Sequence, residues 1–205
     1  MKRIFYLLLF SCLAMQLSHA QQADNYRQDT TTLYQRTKGF HSDPIRAKWR
    51  QELKQEGDRW MLRLYNKKSV LQEEISFADK DLEVRKGLYR LYQNGNIKEE
   101  GKYDKGYKVG LWKYYDTNQQ TIEKTHYNWD KFHGLSFLYW DNGQVKERRN
   151  YVNDLKTGEW HRYYKDGKLA SKEQYDDAGN LQKGSYFNPN GDTITLEELM
   201  KVFKE

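Results

Sequence analysis

Carboxylates, histidines and a single thiol are the residues here that could do chemistry. Glu99, Glu147 and Glu173 recur near one place in a repeating pattern, and paired carboxylates are the usual means of general acid–base work. Their recurrence argues against catalysis, because an active site is one convergent place whereas a glutamate in every unit reads as a solvated ladder paired with lysine. His126, His133 and His161 form no i, i+4 helical pair and have no second ligand at a metal-binding spacing, so they read as surface or loop residues. Cys12 is the only cysteine, and it falls in a segment expected to be removed, which leaves no disulfide, zinc thiolate or thiol nucleophile. No Ser-His-Asp grouping, glycine-rich phosphate loop or carboxylate dyad stands out. The expectation is a non-enzymatic chain with no catalytic, cofactor or metal residues and no cofactor.

The first twenty residues have the form of a secretory signal. Lys2 and Arg3 give a basic start, Ile4 to Leu17 are mostly apolar, and Ser18-His19-Ala20 supplies small residues at −3 and −1, so cleavage is expected after Ala20. The apolar run is short for a spanning helix, which needs about 20 residues. A lipoprotein reading through Leu9-Phe10-Ser11-Cys12 competes, but Phe10 is bulky for a lipobox. Cleavage after Ala20 makes the protein secreted or periplasmic. The chain has 35 Lys and Arg against 29 Asp and Glu, and losing Lys2 and Arg3 leaves a net +4. Lys and Glu interleave along the chain, and this with export argues against nucleic-acid binding.

The elements that carry these residues repeat. Gly87, Gly110, Gly134, Gly158 and Gly184 each open a near-copy, at intervals of 23, 24, 24 and 26 residues. Self-similarity at that period marks a stack of supersecondary units, none of which buries its apolar face alone. Five residues after each of the first four glycines stand Tyr92, Tyr115, Tyr139 and Tyr163, and a second set, Tyr103, Tyr127, Tyr151 and Tyr175, follows 24 residues apart. Between the two tyrosines lie Asn94-Gly95, Asn142-Gly143, Asp166-Gly167 and, in the last copy, Asn190-Gly191. Asn-Gly and Asp-Gly tolerate positive φ at both centres of a type I′ turn and mark two-residue β-hairpins. Asn118-Gln119 takes that place in the second copy, where a looser, longer loop is expected. A degenerate copy begins at Gly57, with Trp60, Tyr65, Val70, Leu71 and Phe77 in corresponding roles.

These patterns give an all-β fold: an elongated meander of stacked antiparallel hairpins over residues 57–194, with short capping helices at both ends. At the C-terminus, over 195–205, Thr195 and Glu198 make a capping box, Ile194 and Leu199 a staple, and Leu196, Leu199, Met200 and Phe203 share a helical face. At the N-terminal end a helix is expected over 44–56, started by Asp43-Pro44, striped by Ile45, Trp49 and Leu53 and stopped by Gly57. Residues 21–43 are polar and aperiodic, and read as a flexible leader.

The unit Gly-x-Trp-x-x-Tyr-Tyr-x-Asp-Gly-x-Leu at Gly158 to Leu169, followed by Glu173 and Tyr175, resembles the MORN-repeat variant common in bacterial exported proteins. The resemblance spans about residues 57–194 and implies a curved, single-layer hairpin sheet used for protein or membrane contact, without a catalytic centre. Some proteins of this kind carry a toxin–antitoxin label, which in an exported chain would mean protection against an exported toxin. Choline-binding repeats also use glycine, tryptophan and paired tyrosines, but with a period nearer twenty and a Gly-Trp opening absent here.

Neighbouring aromatics point to opposite faces of a strand, so one face is expected to be core and the other a partly exposed stripe. Tyr89, Trp112, Trp140, Trp160 and Tyr164 are the candidate partner-binding stripe. The two tyrosine sets and the five repeat glycines are the candidate repeat core. An exposed aromatic and basic face suits an unidentified envelope or extracellular protein, with a glycan or a membrane surface as the other possible ligand classes.

Overall fold

The repeats build one continuous sheet because each hairpin has two edges to pair and one face to bury. A computed structural model describes residues 30–36, 39–41 and 49–203. The expected signal segment, Cys12 and the Asp43-Pro44 helix start lie outside the described residues. Successive hairpins are β4 (Arg59–Asn66) with β5 (Leu71–Phe77), β6 (Arg85–Gln93) with β7 (Asn96–Asp104), β8 (Tyr107–Tyr115) with β9 (Thr121–Asn128), and β10 (Lys131–Tyr139) with β11 (Val145–Val152). After the short β12 (Leu155–Lys156) come β13 (Gly158–Tyr163) with β14 (Leu169–Tyr175), and β15 (Leu181–Phe187) with β16 (Thr193–Ile194). All of these pair antiparallel in a single sheet, which continues beyond β4 through β3 (Trp49–Glu56), β1 (Thr30–Arg36) and β2 (Gly39–His41).

The N-terminal end corrects two expectations. Residues 49–56 form strand β3 instead of the end of a capping helix. A spacing of four puts Trp49 and Leu53 on one face of a strand as well as of a helix, and the neighbouring strand decides: Leu53 lies opposite Leu62, both buried. Gly57, read as a helix stop, opens a two-residue turn at φ +66°, with Glu56 opposite Arg59. In the expected leader, Thr30–Arg36 is a strand that pairs the free edge of β3, from Thr30 opposite Lys54 to Gln35 opposite Trp49, and its threonine run favours strand geometry.

The turns also differ from expectation. Asn94-Gly95 alone among the predicted pairs has positive φ at both residues, +54° and +85°. At 140–144, 164–168 and 188–192 only the glycine does. There the Trp140 N–H donates to the Gln144 carbonyl at 2.8 Å and the Gly143 N–H to the Trp140 carbonyl at 2.9 Å, a pattern repeated in the other two loops. This is the three-residue loop whose last residue is left-handed. Loop 116–120 has the same two bonds and is not longer. Gln119 takes the glycine's place at φ +65°, and its amide exchanges two hydrogen bonds with the Ile97 backbone, at 3.1 and 2.9 Å, which offset the cost of about 1 kcal/mol for a left-handed non-glycine residue. On the opposite edge Lys105-Gly106, Trp129-Asp130 and Asn153-Asp154 have positive φ at both residues. Asp130 and Asp154 are fixed there by accepting from the Lys108 and Phe132 N–H groups, at 2.6 and 2.7 Å.

The core is one face of this sheet. Tyr89, Tyr103, Trp112, Tyr127, Phe132, Tyr151, Trp160 and Tyr175 form an unbroken ladder with successive centroids 5.0 to 6.0 Å apart. Each such contact contributes about 0.5–1.5 kcal/mol beyond burial. Gly101 lets the ladder close, since a Cβ there would lie 2.3 Å from the Trp112 ring. At the C-terminal end helix α1 (Leu196–Val202) begins with the expected capping box, the Glu198 N–H donating to Thr195 Oγ1 and the Thr195 N–H to Glu198 Oε2. Leu199 is fully buried and Phe203 stacks on Tyr164 at 5.5 Å, whereas Leu196 and Met200 remain exposed.

Candidate functional site

The face opposite the ladder is set by the same alternation. One residue per strand forms a continuous row across it: Arg63, Glu74, Arg90, Glu100, Lys113, Lys124, Phe137, Arg148, His161 and Lys172, each directly opposite the next. Beside it runs a second row, Tyr92, Tyr115, Tyr139 and Tyr163. These tyrosines follow Arg90, Lys113, Phe137 and His161 by two positions along the strand.

In the first repeats the charges cancel. Glu74 is bridged by Arg63 at 2.9 Å and Arg90 at 3.6 Å, and Glu100 by Arg90 at 3.3 Å and Lys113 at 3.4 Å. The Tyr92 hydroxyl donates to Glu74 at 2.7 Å and the Tyr115 hydroxyl to Glu100 at 2.8 Å. Burial pushes both carboxyls up, but these hydroxyls and cations outweigh it and hold each below the usual carboxylate range.

After Glu100 the sign changes at constant register. The return-strand position three residues before the second tyrosine holds Glu100, then Lys124, Arg148 and Lys172. Lys124 lies over the Tyr139 ring at 5.4 Å, and Arg148 reaches His161 Nδ1 at 3.5 Å. Among the described residues neither Lys124 nor Arg148 has a carboxylate within salt-bridge distance, and Tyr139 and Tyr163 have no acidic acceptor. Lys172 is bridged to Glu159. His161 is stacked on Tyr163 and only 13% exposed at its side chain. Desolvation lowers its pKa, and Arg148 and Lys172 add to that against Glu159. Phe137 sits between Lys124 and Arg148, half-buried. The result is a basic and aromatic patch on β9 to β14, able to hold an anionic partner but presenting no nucleophile–base pair.

The predicted stripe lies elsewhere. Tyr89, Trp112 and Trp160 belong to the core ladder, with Trp112 fully buried. Tyr164 is buried under α1, and Trp140 stacks on Phe203 at 6.0 Å while its Nε1–H donates to the Tyr163 carbonyl at 3.0 Å. The residue two after each repeat glycine falls on the same face as the second tyrosines, so these rings fill the interior. Tyr103, Tyr127, Tyr151 and Tyr175 stand in the ladder, Tyr103 and Tyr175 buried and Tyr127 and Tyr151 half-buried. Tyr92, Tyr115, Tyr139 and Tyr163, expected there, stand half-buried on the charged face. Gly87, Gly110, Gly134 and Gly158 take positive φ beside breaks in pairing, and Gly184 does not.

The recurring glutamates also need correction. Glu73, Glu99, Glu123 and Glu147 precede the second aromatic by four residues and share the ladder's face; Glu173 precedes it by two and accepts from the Tyr175 hydroxyl at 2.7 Å. They are half-buried, not a solvated lysine ladder: Glu147 is held by Arg149 at 2.7 Å and Arg162 at 3.3 Å. Desolvation raises the Glu73 and Glu123 pKa values despite nearby Arg85 and Arg149. His126 is exposed and hydrogen-bonded to the Leu135 carbonyl, and His133 is exposed. Among the described residues no group of three His, Cys, Asp or Glu side chains is placed to hold a metal ion, and no helix is long and apolar enough to cross a membrane.

The tryptophans are the more conspicuous residues of the repeat, and the signal of the basic patch is subtler: the residue after each recurring glutamate changes from Glu74 and Glu100 to Lys124 and Arg148. The family model described as MORN repeat variant matches two adjacent repeats, residues 132–153 and 156–177, which carry most of the patch. No curated protein matches the chain.

Proposed function

We propose that this chain is an exported, non-enzymatic repeat scaffold that binds an acidic envelope or extracellular protein through the charged face of its later repeats. The repeat architecture and the match to the MORN repeat variant support a scaffold, and the N-terminal sequence supports export. The observation that carries the reading is the sign change in one register row: Lys124 and Arg148 occupy places where Glu74 and Glu100 balance their neighbours. Unpaired cations among half-exposed rings are the composition of a contact surface, since charge complementarity supplies specificity and rate.

The test compares wild-type chain with Lys124→Glu/Arg148→Glu by quantitative cross-linking in intact cells. Partners should be lost from the double variant while export and folding persist. An unchanged partner set, or a chain that stays in the cytoplasm, would refute it.

A further inference from the structure

The spacing of the cations in this row specifies more than their sign. Lys124, Arg148 and Lys172 stand on every second strand of one row, with Phe137 and His161 on the strands between. Adjacent strands are about 4.8 Å apart, so the cations recur at about 9.6 Å. Tyr139 and Tyr163 stand two strands apart in the neighbouring row and recur at the same pitch.

A regular ligand crossing the strands must present like groups on one side at that interval. A β-strand puts i and i+2 on one side at about 6.7 Å and turns i+3 away, and an α-helix returns to the same side at about 5–6 Å, at i+3 and i+4, and again at about 10.5 Å, at i+7. Polyproline II has three residues per turn and rises about 3.1 Å per residue, so its same-side repeat is about 9.3 Å. Polyproline II segments also dock against aromatic rings in known recognition modes, and the two rows here supply the half-buried Phe137, Tyr139 and Tyr163.

Resting on the function proposed above, we infer that the charged face of β9 to β14 binds an acidic, proline-rich segment in the polyproline II conformation, with a carboxylate at every third residue. Successive carboxylates meet Lys124, Arg148 and Lys172, and Lys172 exchanges its Glu159 bridge for the ligand. The intervening prolines lie against the rings, and the Tyr139 and Tyr163 hydroxyls donate to ligand carboxylates or carbonyls, as Tyr92 and Tyr115 donate to Glu74 and Glu100 within the protein.

Binding of fluorescein-labelled (Glu-Pro-Pro)5 to the full chain, followed by anisotropy at low salt, tests this. The comparison peptide has the same composition with its glutamates contiguous. The repeating peptide should bind at least about tenfold more tightly, a difference of about 1.4 kcal/mol, and Lys124→Glu/Arg148→Glu, shown folded by circular dichroism, should abolish that advantage. Equal binding of both peptides, lost on charge reversal, would overturn the spacing claim while leaving an acid-binding face. Binding of anionic vesicles or an anionic polysaccharide with neither peptide bound would overturn the peptide assignment. No binding to any of these probes would do the same.

Discussion

Glu74 and Glu123 are the same residue type in the same sheet, yet they act on stability in opposite directions because their faces differ. Glu74 and Glu100 have depressed pKa values, so their contribution is present above the unfolded value of about 4.3 and is lost as pH falls through the folded values. Glu73 and Glu123 are raised by desolvation. Their contribution is full below about 4.3 and is lost as pH rises through the folded pKa. Glu123→Gln should therefore raise the urea midpoint at pH 7 to 8 and leave it unchanged near pH 4. Glu74→Gln should lower the midpoint at pH 7 and lose its effect in acid. A destabilised Glu123→Gln at neutral pH would show that Lys108 and Arg149 outweigh burial at that site.

Within a hairpin, the residues two before and two after the opening glycine work as a pair. In two units a lysine covers a tryptophan, Lys108 over Trp112 at 3.8 Å and Lys156 over Trp160 at 4.5 Å. Between them Ser136 replaces the tryptophan and Phe132 replaces the lysine, its ring filling the ladder between Tyr127 and Tyr151 at 5.0 and 5.1 Å. Phe132→Lys alone should cost about 3 kcal/mol by opening the ladder, and Ser136→Trp alone about 1–3 kcal/mol by overpacking. Together they recreate the neighbouring unit. The double variant should recover at least about 1 kcal/mol relative to the sum of the singles in urea unfolding, and strict additivity would show that the two positions do not exchange roles.

For the whole molecule, a chain whose contacts are between neighbouring units should tolerate loss of one unit. Deleting residues 132–155 joins Lys131 to Lys156 and brings the Lys156–Trp160 pair onto β9. The shortened protein should keep its strand spectrum and a cooperative transition. Its m-value should fall with the buried surface, and its melting temperature should drop by several degrees. It also loses Phe137, Tyr139 and Arg148, so it should fold without binding an acidic peptide. A deletion that leaves an unfolded chain would mean that long-range contacts hold the sheet together.

The period, the hairpins, the second tyrosine ladder and the C-terminal capping box were legible in the sequence because each rests on neighbours within one unit: a turn dipeptide, a spacing of 24, a threonine three residues before a glutamate. The facing of each side chain was not. A one-residue bulge or break in register moves every following residue to the other side. Such breaks lie opposite Tyr92, Tyr115, Tyr139 and Tyr163, with the extra residue on the return strand, so they re-face part of that strand while the unbroken first strand keeps those rings on the face of Arg90, Lys113, Phe137 and His161 and leaves Trp112 and Trp160 inside. Likewise Trp49 and Leu53 fit a helix as well as a strand until the edge of β4 selected pairing. Local spacing determined that this protein is a stack of hairpins; only the assembled sheet decided which surface is interior and which carries unbalanced charge, because that depends on pairing between units.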